Sequence, residues 1–531
     1  MKAAVYNRFL YSMGGGERHS GMLAQVLAAE GWEVDLVTHT PVERDELAEH
    51  VGIDLSGVRL LTMPDTGETL VSEMSEDYDL FVNASYMSRL PSRAGRSVYL
   101  CYFPTPADHD FGPVRRWFIR RLGPSVRRVQ RLFEYGTGWF PPEGGRRRSW
   151  TWTSGNAVLG LSRDSSHVLG MELGRPGAAG PTTLRFIDQD GVERAAVEAT
   201  PRFTRHVVDL GAPGRALEVH LVSDTFTPGS ADPRSLGVAV SRLHVGGSPL
   251  TAGERLGYHF PWLLRDPRNL EFLPSYDLVV ANSEYTRGWI GRYWQRDAEV
   301  LFPPVKTSAL EPAARRRPVI LSVGRFFHPG QGHCKQQLEL VRFFGALVRS
   351  GRLPGWELHV VGGLEPEQVD YFRQVRAAAT GLPVVLAPNA PRSRVEELFD
   401  TASVFWAATG YGQDESRTPW TFEHFGITTV EAMAGGAVPV VIDSAGQREI
   451  VRDGVDGFRW SSVDVLHDRT VEIARDEQLR ARLSSAARER AESFSEPRFA
   501  ERWRSIAERH GMGRPAGSVR AAAPGSRPGD G

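Results

Sequence analysis

Two α/β domains with parallel sheets, the first interrupted by an antiparallel β-sandwich, form the architecture that this 531-residue sequence predicts. Three observations carry it. The length exceeds what one hydrophobic core supports, so two or three domains are expected. Toward both ends of the chain, short apolar runs alternate with helical patterns, the rhythm of parallel strands covered by helices. Between about 150 and 247 that rhythm stops, and short alternating runs follow one another without helices.

The elements follow in order. KAAVYN (2–7) reads as a strand, ERHSGMLAQVLAAEG (17–31) as a helix ending at Gly31, and WEVDLVTH (32–39) and YDLFVNAS (78–85) as further strands. The runs NAVLGL, HVLGMEL, TTLRFID, ALEVHLV and LGVAVSRLHV then predict the sandwich, with Asp190-Gly191 as a hairpin turn. YDLVVANS (276–283) resumes the first domain, and EYTRGWIGRYW follows as a helix. After the proline-marked LFPPV (301–305) come five more strand runs: PVILSVG, WELHVVGG, PVVLAP, VFWAA and VPVVID. The expected divisions are 1–145 and 251–305 for the two parts of an N-terminal Rossmann-like domain, with the sandwich at 146–250. The C-terminal Rossmann-like domain spans 306–495, a closing helix 496–511, and a Gly/Pro/Ser/Ala-rich disordered tail 512–531.

Composition narrows the function classes. The 63 basic and 64 acidic residues nearly cancel, so no nucleic-acid-binding field is expected. Two cysteines, Cys101 and Cys334, argue against a disulfide scaffold and fit a reducing compartment. No signal peptide and no membrane-spanning run is read, so a cytoplasmic enzyme is expected and the Asn83-Ala84-Ser85 sequon goes unused.

Three constellations bear chemistry. In TFEHFGITTVEAM (421–433), Phe425-Gly426-Ile427-Thr428 places successive N–H groups at a helix start, a natural seat for phosphate. Gly426 allows close approach, Glu431 suits a ribose diol, and Glu423 suits hydroxyls of a second sugar. The alternative is a capped surface helix with solvated acids. Gly324-Arg325 ends a buried strand, and Lys335 opens the helical pattern KQQLELVRFFGALV. Lysine occurs only three times among the 63 basic residues, so its place here is informative. An arginine fork and an ammonium suit a leaving diphosphate. Gly14-Gly15-Gly16-Glu17 is a glycine loop after the first strand, and it has neither GxGxxG nor P-loop spacing. Separately, VRRWFIRRLGPSVRRVQRLF (114–133) holds seven arginines among apolar residues and reads either as a solvated surface helix or as a contact with an anionic membrane surface.

Together these segments resemble the retaining glycosyltransferases of family 4, which have the GT-B fold. EHFGITTVE (423–431) is similar to that family's E-x7-E signature, and SVGRFF with HCKQQ to its diphosphate-binding segment. GGGER, YDLVVANSEYTRGWI with VLFPPV, and SAGQREIVRDGVDGF (444–458) match other stretches of it. The resemblance implies Arg325, Lys335 and Glu423 as catalytic residues. It implies donor binding by Gly15, Gly16, Gly324, Phe425, Gly426, Ile427, Thr428 and Glu431. The donor would be a nucleotide-sugar, the acceptor a glycan or lipid-linked glycan, and no metal or other cofactor is expected. One departure stands out. Relatives often carry a histidine where this chain reads LCYFPTP, with Tyr102 and Phe103, and that role is left unassigned. The alternatives are a nucleotide-sugar epimerase or phosphorylase of the same fold, or an inactive carbohydrate-binding protein.

Overall fold

The computed structural model describes residues 1–513 apart from 13, 64–67, 128–132, 141–142, 146–147, 162–166, 179, 212–216, 229–233, 247–251, 266–269, 308–315 and 331–332. The expected tail beyond residue 513 lies outside the described residues.

The chain opens with strands β1 (Lys2–Tyr6), β2 (Glu33–Thr38), β3 (Val58–Thr62), β4 (Leu80–Asn83) and β5 (Ser97–Cys101). Helices α1 (Gly15–Ala29), α2 (Arg44–Val51) and α3 (Thr69–Met74) connect them, and α4 (Pro113–Arg127) follows β5. Ten strands of the insertion come next: β6 (Phe133–Tyr135), β7 (Glu143–Gly145), β8 (Arg148–Trp152), β9 (Asn156–Leu161), β10 (Val168–Gly174), β11 (Thr182–Asp188), β12 (Glu193–Ala199), β13 (Thr204–Asp209), β14 (Leu217–Val222) and β15 (Ala239–Val245). The chain returns through α5 (Ala252–His259), β16 (Leu278–Ala281), α6 (Glu284–Trp294) and β17 (Glu299–Val300) to complete a parallel sheet of order β17-β16-β5-β4-β1-β2-β3. Strand β16 pairs directly with β5, so everything between them is an excursion from one edge of one sheet.

The excursion is two antiparallel sheets, β13-β10-β15-β8-β7 and β12-β11-β14-β9-β6, closed over a core that includes Leu159, Leu173, Phe186, Leu221 and Val240. Alternation explains it: β11 reads buried, exposed, buried along Thr182–Asp188. Its hairpin to β12 turns at Gly191 (φ 77°), and Asp188 Oδ1 accepts from the N–H groups of Asp190 and Val192 at 3.0 and 2.9 Å. The sandwich begins earlier than the expected residue 146, because Phe133–Tyr135 pairs with β9 and Glu143–Gly145 with β8. Phe133 accordingly packs against the sandwich core rather than lining the basic segment.

The second parallel sheet, β20-β19-β18-β21-β22-β23, uses β18 (Arg317–Val323), β19 (Glu357–Gly362), β20 (Val384–Pro388), β21 (Ala402–Ala407), β22 (Val438–Ile442) and β23 (Phe458–Trp460). Around it stand α7 (Gln337–Arg349), α8 (Val369–Ala379), α9 (Arg392–Thr401), α10 (Ile427–Ala434), α11 (Gln447–Ile450), α12 (Val463–Arg475) and α13 (Glu477–Ala491). Its strands are apolar on both faces, as sheets sandwiched between helices require. The last helix, α14 (Glu496–Arg509), crosses back: Phe499, Trp503 and Ile506 enter the core of the first sheet. Arg18 on α1 pins that return by pairing with Glu496 and donating to Pro304 O.

Helices α4 and α5 pack on each other at the point where the sandwich leaves and rejoins the first sheet. Replacing residues 133–246 with a short Gly/Ser linker should therefore leave a protein that unfolds cooperatively, as insertions with adjacent ends do. Denaturation followed by circular dichroism checks this, and loss of a cooperative transition would make the sandwich part of the main core.

Candidate functional site

The ends of β18 and β21 and the start of α10 converge. Gly426 has φ 115°, a conformation that favours glycine, and an added Cβ would lie 2.9 Å from Gln447 Nε2 and 3.3 Å from Glu423 Cγ. This turn delivers the chain into α10, where the N–H groups of Ile427 and Thr428 lack intrahelical acceptors. Phe425 is buried against Phe302 and Phe494, at 5.5 and 5.3 Å between ring centroids, so its side chain anchors the turn.

Glu423 precedes the turn and is paired with Lys335 Nζ; its Oε2 also accepts from Thr409 Oγ1 at 3.3 Å. Burial pushes the Glu423 carboxyl up, but Lys335, with His333 and Thr409, outweighs it and holds the group below its ordinary value. Lys335 does not open a helix as its pattern suggests. It lies in the loop before α7, because Gln336 adopts a left-handed conformation (φ 59°) that delays the helix to Gln337. Gly324 cradles the lysine stem: a Cβ there would sit 2.6 Å from Lys335 Cγ. Gln337 Nε2 donates to the carbonyls of Gly324 and Arg325 at 3.1 and 2.9 Å, fixing the strand-end loop. The Arg325 guanidinium lies 4.9 Å from the Phe327 ring centre and forms no ion pair among the described residues.

Glu431 sits one turn into α10, nearly buried, and accepts from Arg392 Nη2 at 3.0 Å. Arg392 on α9 also reaches Glu396 at 3.0 Å, so Glu431 is held rather than solvated. The two acids thus face different cations, Glu423 toward the β18 end and Glu431 toward α9.

The glycine loop is partly a helix start. Gly15 and Gly16 form the first residues of α1, and the Gly14 N–H donates to Glu17 Oε2 at 2.8 Å. The smallness of Gly15 serves packing. A Cβ at Gly15 would lie 2.5 Å from Ile427 Cδ1 on α10, and Gly16 O accepts from Tyr102 Oη at 2.7 Å. The first sheet therefore presents its glycine turn to the start of α10 beside the second.

Sequence reasoning missed His424 and its neighbours. The Phe103 ring, in the loop where a histidine was expected, stacks on His424 at 4.1 Å with an interplanar angle of 13°. The His333 and His424 rings meet at 4.4 Å, and His333 Nδ1 donates to Phe422 O at 3.1 Å. Burial, then the His424–His333–Lys335 cluster, keeps His424 neutral, far below its usual value, and burial with Lys335 takes His333 down to about 4. The buried His424 Nε2 has no hydrogen-bond partner among the described residues. Across the same interface the Glu449 carboxylate accepts from the N–H groups of Glu284 and Tyr285 at 2.8 and 2.6 Å, capping α6 from the other sheet. Beside it a 410 Å³ cavity is lined by Tyr285, Trp289, Arg292, Glu415, Ser416 and Arg448.

A cation in the site sets the charge of Glu423. A group with a depressed folded value contributes stability above its unfolded value, which is lost as pH falls through the folded one. Carboxyl ¹³C titration should find Glu423 ionised below pH 4.5 in the wild type. In Lys335→Ala burial acts unopposed by that cation, and the group should titrate above 4.5. An unmoved titration would mean that the pair does not hold the charge.

Comparisons with known proteins bear on the fold and on the second half of the chain. The chain is 27% identical over 243 residues to a GDP-Man:Man(3)GlcNAc(2)-PP-Dol alpha-1,2-mannosyltransferase of Dictyostelium discoideum, covering 43% of this chain and 46% of that one. It is 26% identical over 264 residues to the Alpha-1,3/1,6-mannosyltransferase ALG2 of Rhizomucor pusillus, covering 43% and 56%. The match thus spans about half the length of these curated relatives. A sucrose-phosphate synthase from Thermosynechococcus elongatus superposes with a TM-score of 0.51 at 12% identity, over 96% of this chain and 100% of that one. A glycosyltransferase from Rickettsia africae superposes with a TM-score of 0.51 at 12% identity, over 96% and 98%. Anabaena HepE in complex with UDP and glucose gives 0.50 at 12% identity, over 96% and 99%. The chain has the GT-B fold, and its residues 308–490 match the family described as Glycosyl transferases group 1.

Proposed function

We propose that this protein is a retaining glycosyltransferase of family 4 type. It would move a sugar from a nucleotide-sugar to a glycan or lipid-linked acceptor in polysaccharide or cell-surface glycan biosynthesis. The observation that carries the reading is the Lys335–Glu423 pair set directly before the Gly426 turn, with Glu431 held one helical turn away. A diphosphate on the Ile427 and Thr428 amides would meet Lys335 and Arg325, two cations aimed at a leaving anion. These two side chains neutralise the departing charge with no metal ion, and no other cofactor is called on. Glu431 would take the ribose hydroxyls, and Glu423, released from full engagement with Lys335, those of the donor sugar.

The reaction breaks the bond between the sugar's anomeric carbon and the phosphate oxygen and forms one to the acceptor oxygen on the same face. The acceptor's proton passes to an oxygen of the leaving diphosphate. With His424 and His333 uncharged, the wall facing the first sheet adds no competing cation. The aromatic floor of Tyr285 and Trp289 in the adjoining cavity suits an acceptor sugar ring. Two of the similar proteins support a nucleoside diphosphate: one uses GDP-Man, and the other binds UDP. No nucleic-acid partner enters this reading. The enzyme would work in the cytoplasm as a peripheral protein at the inner face of the plasma membrane, contacting anionic lipid through residues 114–133; no helix among the described residues is long and apolar enough to cross a membrane.

Incubation with nucleotide-sugars and glycan acceptors, with products resolved by mass, tests the reading. A glycosylated acceptor supports it, whereas isomerised donor would indicate the epimerase and no turnover the inactive binding protein. Lys335→Ala should lower kcat about 10²-fold or more, the scale for one preorganised electrostatic group. An unchanged kcat/KM would remove Lys335 from the reaction.

The two acids should separate in calorimetry. Glu431→Ala is expected to weaken nucleoside diphosphate binding by about 1–3 kcal/mol, while Glu423→Ala spares it and impairs transfer. Equal losses in both variants would contradict the division.

A further inference from the structure

Thirteen large apolar side chains are exposed among the described residues, and six of them fall in one place: Val114, Trp117, Phe118, Leu122, Leu256 and Phe260. The first four recur on α4 at a spacing that makes one stripe. A helix on a globular protein ordinarily turns such a stripe inward. Here the inward positions are Ile119, Gly123 and Val126, and the bulkier stripe faces out, with Val114 69% and Trp117 59% exposed.

Helix α5 and the turn after it extend the surface. The Phe118 and Trp262 rings lie 6.4 Å apart, and Phe260 and Trp262 lie 6.0 Å apart. Cations border the stripe. Asp108 holds Arg120 and Asp110 holds Arg265, whereas Arg115, Arg121 and Arg255 form no ion pair among the described residues. The Arg115 guanidinium lies over the Phe111 and Trp262 rings at 6.0 and 5.9 Å. An aromatic centre ringed by unpaired arginines matches the acyl boundary and phosphates of an anionic leaflet. A two-fold interface with a second copy would instead turn this basic patch against itself, with no acidic partner to meet the arginines.

We propose that α4, α5 and the Phe260–Trp262 turn form a single platform that docks on the surface of a bilayer containing anionic phospholipid. This deepens the membrane placement proposed above by replacing one basic segment with a composite surface, and it uses no donor-site residue. The platform is also the neck of the β-sandwich, since the chain leaves α4 for β6 and returns from β15 to α5. It lies close to the cleft as well. His109, just before α4, has its ring 6.1 Å from that of Trp420, three residues before Glu423. Docking here would bring the acceptor side of the cleft to the lipid surface.

Full-length protein is sedimented with phosphatidylcholine vesicles, with and without phosphatidylglycerol, at low and high salt. Binding should require phosphatidylglycerol and fall as salt screens the arginines. The double substitution Trp117→Glu and Phe118→Glu should weaken vesicle binding at least about tenfold, and Arg115→Glu with Arg121→Glu should do so too with a shallower salt dependence. Thermal melting and nucleoside diphosphate binding should be unchanged in both, because the four side chains are exposed and none of them touches a donor-site residue. Absence of wild-type binding at low salt, or equal binding by the variants, overturns the platform. A wild-type dimer that becomes monomeric in the Trp117→Glu, Phe118→Glu variant would assign the surface to a second copy and overturn it equally.

Discussion

One ion pair organises the candidate site. Glu423 is largely buried, and an unpartnered carboxylate there is costly; Lys335 makes its charge tolerable, with Thr409 supplying a hydrogen bond. The pair spans two separate strand-end loops, one after β18 and one before α10, and so holds the start of α10 beside the Arg325 loop. Glycines make the approach possible. Gly324 leaves room for the lysine stem, and Gly426 takes the left-handed turn that points the following amides at the same space. An apolar residue at 335 would leave the rest of the cluster with a buried charge and nothing to gather around.

The second constraint is the meeting of the two sheets. Gly15 under Ile427, Phe103 on His424 and Glu449 on the α6 N-terminus are three contacts of different kinds, steric, aromatic and electrostatic. With α14 returning to the first core, they place the glycine turn of one sheet opposite the helix start of the other. A ligand between them would touch both, and its binding energy would then include whatever the two halves gain by closing on it.

Much of this was legible in the sequence because the signals are local. Buried parallel strands are near-continuous apolar runs, so PVILSVG and VPVVID announce themselves, and the β11–β12 hairpin announces itself through Asp190-Gly191. Short or half-exposed strands do not: β3 (VRLLT) and β23 (FRW) carry too few apolar residues to stand out, and β6 and β7 are three residues each. The helix start at Gln337 was misplaced because a non-glycine left-handed residue at Gln336 has no clear sequence signal. Pairings such as Lys335 with Glu423, Glu431 with Arg392, and Phe103 with His424 join residues tens to hundreds of positions apart. Only the fold brings them together. For His424 a signal was available, since it lies inside the EHFG motif, but a buried imidazole beside a glycine turn reads equally well as core.

A nucleoside diphosphate bound as proposed would draw Lys335 away from Glu423. Proton exchange on binding reports this directly. Calorimetry in buffers of different ionisation enthalpy, at about pH 5, just above the usual carboxylate range, counts the protons taken up. If Lys335 turns to the diphosphate, Glu423 loses the cation that depresses its titration, its value rises, and the wild type takes up more protons than Glu423→Gln. Equal proton uptake by the two proteins would mean that Lys335 stays on Glu423 when the diphosphate binds.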